Sequence, residues 1–252
     1  MIYNTHSHLQ DSSFDDIRAT LIDATLKSGM KVLLIGFTPE MNRKAIELAE
    51  QYDHFYVAVG IHPNHANEWQ KDLELVKHYV THPKVVAIGE CGLDYHWDTV
   101  SPKVQKEAFI AQIELANQTG LPLIVHMRDS QEDTLSLLQT HAKGFGVMHC
   151  FSGDEAHANA FIKLGFYLGI GGPVTFKNNQ AYREMIQRVG LQHVVVETDD
   201  PYLAPHPFRG KQNIVTNVTY VIDELARLFN QEPSFIEQIT ANNAETILGG
   251  TR

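Results

Sequence analysis

The chain lacks the features that define several large classes of protein. It has only two cysteines among 252 residues, which argues against a disulfide framework. No apolar run approaches the roughly 18 residues that a membrane span requires. The first ten residues, MIYNTHSHLQ, carry histidines where a secretory signal peptide needs an apolar stretch. These absences predict a cytoplasmic globular protein that does not enter a membrane.

Basic residues are also scarce. The chain has 20 Lys+Arg against 30 Asp+Glu, a net charge of −10. That is the wrong sign for a protein that grips long stretches of nucleic-acid backbone. It does not exclude a nuclease, because bound divalent cations supply the positive charge that a phosphodiester needs. Histidine, in contrast, is abundant, with 14 residues.

Short apolar runs alternate with longer amphipathic segments along the whole chain. The runs are β-rich and lack polar alternation, which is typical of strands buried on both faces. The predicted strands are Ile2–Thr5, Val32–Ile35, Tyr56–Val59, Val85–Ile88, Leu123–Val125, Gly146–Met148, Phe166–Gly169 and Val194–Val196. The predicted helices are Phe14–Lys27, Glu40–Tyr52, Trp69–Val80, Val104–Gln118, Glu132–Thr140, Glu155–Leu164, Ala181–Val189 and Val218–Phe229.

A last helix is predicted to start at Ser234, with Glu237 completing a capping box. Eight strands, each followed by a helix, predict an α/β fold, specifically a (β/α)8 TIM barrel, as one domain over residues 1–252. A doubly wound open sheet is the competing architecture.

The first strand is followed by two histidines, His6 and His8. Residues two apart on an extended chain share a face, so both imidazoles can point at one centre. With this many histidines, chance alone gives about one His-x-His pair. The pair therefore carries little weight by itself.

Polar metal-binding side chains follow most of the other predicted strands as well. In a barrel the carboxyl ends of the strands converge on one rim, where active sites lie. Burying these polar side chains without partners would cost free energy, so a random placement around the barrel is disfavoured. Six of the eight strands are followed by such residues: His6 and His8, His62, Glu90, His126, His149, and Glu197 with Asp199.

This set of donors predicts a metal centre. Imidazoles and carboxylates without thiolates suit Zn, Mn, Fe, Ni or Mg. Six strong donors exceed what one tetrahedral cation needs, so two cations are expected, with Glu90 placed to bridge them. Cys91 and Cys150 directly follow Glu90 and His149, so strand alternation predicts that both thiols face away from the centre.

These motifs also occur, in this order, in a known family. The chain resembles the TatD-like metal-dependent hydrolases of the amidohydrolase superfamily, often described as deoxyribonucleases, over nearly its whole length. The segments that carry the resemblance are His6–Leu9, Gly60–Pro63, Ala87–Tyr95, Gln105–Phe109, Leu121–His126, Met148–Gly153, Gly171–Lys177, Glu197–Asp199 and Arg209–Lys211.

The resemblance implies two divalent cations, Mg²⁺, Mn²⁺ or Zn²⁺, in each chain. It implies that His6, His8, Glu90 and Asp199 hold one cation, and that Glu90, His126 and His149 hold the other.

Four further residues have two interpretations each, and two others have an indirect role. His62 either contacts a phosphate or caps the turn before Pro63, and Arg128 either clamps a phosphate or pairs with Asp129. Arg209 and Lys211 either contact phosphate or are solvated charges. Asp94 and Tyr95 are expected to support the ligands by hydrogen bonds.

The leading functional hypothesis is hydrolysis of phosphodiesters in DNA, acting on single strands or strand ends from the 3′ end. In this hypothesis the cations and Glu90 activate a water molecule, and Asp199 accepts its proton. One alternative is an ester or amide hydrolase, such as a D-aminoacyl-tRNA deacylase, because a fold does not fix a substrate. Another is a metal-binding barrel without turnover. DNA is the expected partner, and no obligate protein partner is expected.

Overall fold

Eight parallel strands close into a barrel in their sequence order in the computed structural model, which describes residues 1–249. The strands are β1 (Tyr3–Ser7), β2 (Lys31–Ile35), β3 (Phe55–Val59), β4 (Val85–Asp94), β5 (Leu123–Arg128), β6 (Gly146–Met148), β7 (Phe166–Ile170) and β8 (Val194–Val196). The helices are α1 (Arg18–Ser28), α2 (Pro39–Ala49), α3 (Trp69–Tyr79), α4 (Pro102–Thr119), α5 (Gln131–His141), α6 (Glu155–Lys163), α7 (Gln180–Val189), α8 (Val218–Phe229) and α9 (Pro233–Leu248).

The predicted (β/α)8 TIM barrel is confirmed, and the doubly wound sheet is wrong because β1 pairs with β8. Residues 250–252 of the predicted domain lie outside the described residues. Among residues 1–249, no helix combines the length and the apolarity needed to span a membrane.

Each strand is buried on both faces, which explains its continuous apolar sequence. In β2, Leu33 and Ile35 belong to the cluster that fills the barrel, together with one or two residues from most other strands. Val32 and Leu34 belong to the second cluster, which includes the outer helices. The alternation along β2 therefore separates an inner core from an outer one.

The C-terminal helix α9 covers the amino end of the barrel. Its buried face joins the inner core. The Asn243 side chain donates to the carbonyl oxygens of Leu191 and Val194 at 2.8 and 2.7 Å, where β8 begins. Glu245 pairs with Lys31 at the start of β2, at 2.9 Å. The open rim is therefore the carboxyl end of the strands.

The fourth strand is longer than predicted, so Glu90 lies within it and not after it. Gly89 and Gly92 have φ of 150° and 139°, which L side chains rarely adopt. A Cβ on either glycine would collide with a backbone carbonyl of β5. The two glycines therefore let β4 continue beside β5 up to Asp94.

Register shifts in β1 and β4 turn the polar side chains of the rim inward. The shifts fall between Asn4 and Ser7 in β1, and between Ile88 and Cys91 in β4. Ile88 and Cys91 both pack in the outer core although they are three residues apart. Such irregularities re-aim side chains, and here the one in β4 directs Glu90 toward the barrel axis.

Helix α1 starts four residues later than predicted, and α9 starts without its predicted capping box. Helix α1 begins at Arg18 because Phe14 is buried in a short 3-10 turn, and the Arg18 guanidinium donates to loop carbonyls. The predicted capping box is wrong. Helix α9 begins at Pro233, whose fixed φ suits the first helical position, so Ser234 lies inside the first turn. Glu237 lies 3.5 Å from the amino group of Met1.

Candidate metal centre

Two imidazoles and two carboxylates meet at the open rim. The Nε2 atoms of His6 and His8 lie 3.3 Å apart. Oδ1 of Asp199 lies 3.7 Å from Nε2 of His6 and 3.6 Å from Nε2 of His8. Oε2 of Glu90 lies 3.6 and 4.0 Å from the same two nitrogens. The structure thus brings together the four residues predicted for one cation.

The other carboxylate oxygen of Glu90 faces a second pair of histidines. Its Oε1 lies 2.8 Å from Nδ1 of His126 and 3.8 Å from Nε2 of His149. Glu90 therefore offers one oxygen to each group, which is the geometry that bridging requires. The groups are not separate, because the His149 ring stacks on that of His6 with centroids 3.4 Å apart.

The spacing of the donor atoms fits a shared divalent cation. Two tetrahedral ligands at 2.0–2.2 Å from a cation lie about 3.3–3.6 Å from each other. The separations among the His6, His8, Glu90 and Asp199 atoms run from 3.3 to 4.0 Å. Imidazole and carboxylate donors are also the types that such cations take. The residues present therefore fit a divalent metal centre.

Two imidazoles are oriented by acceptors on the side away from the centre. Nδ1 of His8 lies 3.0 Å from the carbonyl oxygen of Ile35. A carbonyl only accepts, so in the neutral ring the proton is on Nδ1 and the Nε2 lone pair faces the centre. Nδ1 of His149 lies 3.0 Å from Oε1 of Glu197, an ion-pair contact and not a straight hydrogen bond.

The sequence analysis placed Glu197 at the rim but assigned it no role in the site. It is fully buried, and besides His149 it accepts the backbone N–H of Cys150 at 2.6 Å. The available signal was its position two residues before Asp199, in the acidic segment that follows β8. A carboxylate behind a ligating histidine fixes the ring and raises its basicity.

Burial and neighbouring charges shift the pKa values of the side chains in the metal centre. Burial raises the pKa of Glu90, but the neighbouring imidazoles of His62, His126 and His6 outweigh it and leave this pKa well below its usual range. Burial would lower the pKa of His149, yet the charges of Glu197 and Asp199 raise it to about 10. Burial and the charge of His149 lower the pKa of His6, which favours the neutral ring.

A third group of side chains, formed by His62, Asp94 and His126, lies beside Glu90. Nε2 of His126 is 3.1 Å from Oδ2 of Asp94, as expected for a supporting carboxylate. Nδ1 of His62 accepts the backbone N–H of Asn64 at 3.1 Å, so His62 caps the turn. Its Nε2 also faces the centre, 3.8 Å from Oε1 of Glu90. Tyr95 does not support the ligands, because its hydroxyl bonds to Asp133 on α5 at 2.7 Å.

Residues adjacent to the candidate ligands point in different directions. Asp200 accepts hydrogen bonds from the hydroxyls of Ser7, at 3.0 Å, and Thr198. Burial raises the pKa of Asp200 to about 6 despite these bonds. Sγ of Cys91 points outward and lies 3.6 Å from the carbonyl oxygen of Ile124.

The alternation argument is wrong for Cys150. Strand β6 ends at Met148, and Cys150 has a φ of 44°, so its direction does not follow the strand. Its thiol lies within reach of the donor atoms of His149 and Glu197. The thiol therefore lies close to the pair formed by His149 and Glu197.

Within residues 1–249, none of the three basic residues predicted for substrate binding forms an ion pair with a carboxylate of the metal centre. The guanidinium of Arg128 lies 5.6 Å from the ring centroid of Trp97, and Asp129 pairs with His96 at 3.1 Å instead. The guanidinium of Arg209 lies 4.5 Å from the ring centroid of Phe176. Lys211 is exposed, and within residues 1–249 neither it nor Arg209 pairs with a ligand carboxylate.

Comparisons with known proteins identify a family and several relatives of the chain. The family model described as TatD related DNase matches residues 3–249. An uncharacterized metal-dependent hydrolase, YabD of Bacillus subtilis (strain 168), is 40% identical over 252 residues, covering 98% of each chain. The 3'-5' ssDNA/RNA exonuclease TatD of Escherichia fergusonii is 29% identical over 251 residues, covering 96% of each.

A solved structure also matches. The TatD homologue YJJV from Escherichia coli K12 superimposes with a TM-score of 0.90 at 28% identity, covering 98% of this chain and 97% of that one. Fold, donor set and relatives lead to the same conclusion: the chain is a metal-dependent hydrolase and belongs to the TatD-related DNase family.

Proposed function

We propose that this chain is a deoxyribonuclease that removes nucleotides from the 3′ end of single-stranded DNA, using water activated by two divalent cations. The observation that carries the proposal is the position of Glu90. One of its oxygens faces His6 and His8, and the other faces His126 and His149. A relative's name, 3'-5' ssDNA/RNA exonuclease, supports the substrate class.

When bound, divalent cations lower the pKa of water and offset the charge that develops on phosphoryl oxygens. The side chains of the centre supply the positioning and the proton transfer. Glu90 would hold both cations, one with each carboxylate oxygen. The carbonyl of Ile35 and the carboxylate of Glu197 keep His8 and His149 oriented. Oδ1 of Asp199 lies between the histidines of both groups, 3.6 Å from His8 and 3.8 Å from His149. From there it orients the attacking water and takes its proton.

His62 contributes a hydrogen-bond donor to the proposed reaction. Because its Nδ1 accepts from the backbone of Asn64, the proton of the neutral ring is on Nε2, which faces Glu90. Burial and the charge of His126 lower the pKa of His62 to about 3, which favours this neutral form. The Nε2–H group is therefore placed to donate to a phosphoryl oxygen.

The charge of the chain favours a strand end over the middle of a duplex. A net charge of −10 leaves little basic surface for counterion release along a backbone. A terminal phosphodiester needs only local compensation, which the cations provide.

The test is a matched panel of substrates for the purified, metal-loaded protein. We expect 5′-labelled single-stranded DNA to be shortened stepwise from its 3′ end in Mg²⁺ or Mn²⁺, and not in EDTA. A p-nitrophenyl phosphodiester should be cleaved as well, and p-nitrophenyl acetate should react far more slowly. Cleavage of the acetate without cleavage of DNA would favour the ester-hydrolase alternative. No cleavage of any substrate by a metal-loaded protein would favour the barrel without turnover.

A further inference from the structure

The open rim carries an aromatic side chain that the proposed mechanism does not use. Trp97 lies on the loop between β4 and α4 and is 53% exposed. The Arg128 guanidinium lies 5.6 Å from its ring centroid. Among the described residues, Trp97 is more exposed than most large apolar side chains. Tyr202, which is 60% exposed, lies across the rim, with its ring 6.5 Å from that of His8.

The loop that presents Trp97 is held firmly by its neighbours. The Tyr95 N–H donates to the carbonyl oxygen of Arg128 at 2.9 Å, which continues the pairing of β4 with β5. Oδ1 of Asp94 accepts the His96 N–H at 3.0 Å. The Gln105 side chain donates to the carbonyl oxygens of Asp94 and Val100, both at 2.9 Å. Trp97 is therefore displayed by an ordered loop, although exposure of its ring to water is unfavourable.

Trp97 and Arg128 are also close to the metal centre. Arg128 follows His126 by two residues on β5, which corresponds to about 7 Å along a strand. Successive charges of one strand in a duplex lie about 3.4 Å apart along the helix axis. An unstacked strand is more extended, so this distance corresponds to one or two nucleotides. Asp94, three residues before Trp97, contacts Nε2 of His126. A nucleotide next to one held at the metal centre would reach the Trp97 ring.

We propose that Trp97 and Arg128 form a platform on which an unpaired base of a single-stranded polynucleotide stacks, one or two nucleotides from the phosphodiester at the metal centre. This inference rests on the proposed nuclease function. Aromatic rings bind bases of any sequence by stacking, and a guanidinium plane adds to the same stack. The bases of an intact duplex already stack on each other, so the platform would favour single strands.

The two tryptophans of the chain make a direct binding test possible. They are Trp69 and Trp97. A Trp69→Phe variant leaves Trp97 as the sole indole, and Trp69 is only partly exposed on α3. We titrate this metal-loaded variant with a hydrolysis-resistant phosphorothioate oligothymidylate and follow fluorescence. We expect the single strand, and a ribo-oligonucleotide of the same length, to quench the fluorescence of Trp97 in a saturable way. A blunt duplex should cause little quenching.

The Trp97→Ala variant should bind the labelled single strand at least roughly fivefold more weakly, the lower end for loss of one stacked base. Its metal content and its rate on a p-nitrophenyl phosphodiester should not change. Phe235→Ala, at a 44% exposed apolar residue on α9, is the matched control and should bind like the wild type.

The results separate the platform from the nuclease. Unchanged binding by Trp97→Ala in a protein that still degrades DNA would overturn the platform and leave the nuclease in place. Quenching of Trp97 without cleavage of any phosphodiester would support the platform and overturn the nuclease. Strong binding of the oligonucleotide, seen by anisotropy of its label, without quenching of Trp97 would place the strand elsewhere and overturn the platform.

Discussion

Glu197 lies 3.0 Å from Nδ1 of His149, on the side of the ring opposite to the other candidate ligands. The pair is buried, and Nε2 of the same ring faces Glu90 and Asp199, each at 3.8 Å. A buried carboxylate in this position stabilises the ring orientation in which Nε2 can bind a cation. Glu197 therefore acts on the centre through His149.

Glu197→Gln should weaken metal binding without unfolding the protein. Glutamine has nearly the same size and keeps an oxygen that can accept from Cys150 N–H, but it removes the charge behind His149. Loss of such a partner typically costs 10–100-fold in metal affinity, and we expect a loss on that order of magnitude by competition with a chelating dye. Glu114→Gln, at an exposed position on α4, is the control. Unchanged affinity in the Glu197 variant would mean that the carboxylate only fills space.

Glu90→Ala should weaken the binding of both cations, because among the described residues Glu90 alone turns one carboxylate oxygen toward each histidine pair. Elemental analysis of the purified wild-type protein should give close to two divalent cations per chain. The variant should retain less than one after dialysis. A single cation that the substitution does not disturb would rule out a bridging role for Glu90.

His8→Asn and His126→Asn should each remove about one cation. His8 lies close to Asp199 and to Oε2 of Glu90. Among the predicted ligands, His126 contacts only Glu90, through Oε1. His149 is a poorer test, since its ring stacks on His6 and its Nε2 faces both carboxylates. Loss of both cations in a folded His126 variant would contradict the proposed division of the ligands.

Asp199→Asn should abolish most DNA hydrolysis while the protein stays folded. The variant keeps the size of the side chain and one acceptor oxygen but loses the charge and the base. We expect a rate loss on the order of 10² or more, the usual scale for removal of a general base. Release of mononucleotides from labelled single-stranded DNA measures it, and Asp23→Asn, exposed on α1, controls for charge. A variant with the wild-type rate would remove Asp199 from the reaction.

Asp200→Asn should instead lower stability and keep most of the activity. The Ser7 and Thr198 hydroxyls both donate to the Asp200 carboxylate, and an amide offers only one oxygen. One lost buried bond costs about 1–3 kcal/mol, or about 2–4 °C in Tm for each kcal/mol in a chain of this size. Differential scanning calorimetry measures the change. An inactive but fully stable variant would mean that Asp200, and not Asp199, serves the reaction.

The amino-acid sequence by itself determined the barrel and the set of candidate ligands. Eight short apolar runs separated by helical segments are the direct result of strands buried on both faces, so their number and order can be recognised without a structure. The metal-binding residue types after these runs, at His6, His8, His126 and His149, identified the rim because the strand ends of a barrel converge. Both inferences depend on local periodicity.

The tertiary structure decided which way the side chains point. Alternation along a regular strand does not account for the inward direction of Glu90, which follows from a register shift next to Gly89, where the backbone of β5 leaves no room for a Cβ. The positive φ values of Cys150 and Asp199 likewise break the alternation. The contacts of Glu197 with His149, and of Trp97 with Arg128, join residues 48 and 31 positions apart. Such contacts depend on how neighbouring strands are staggered, which the packing of the whole barrel sets.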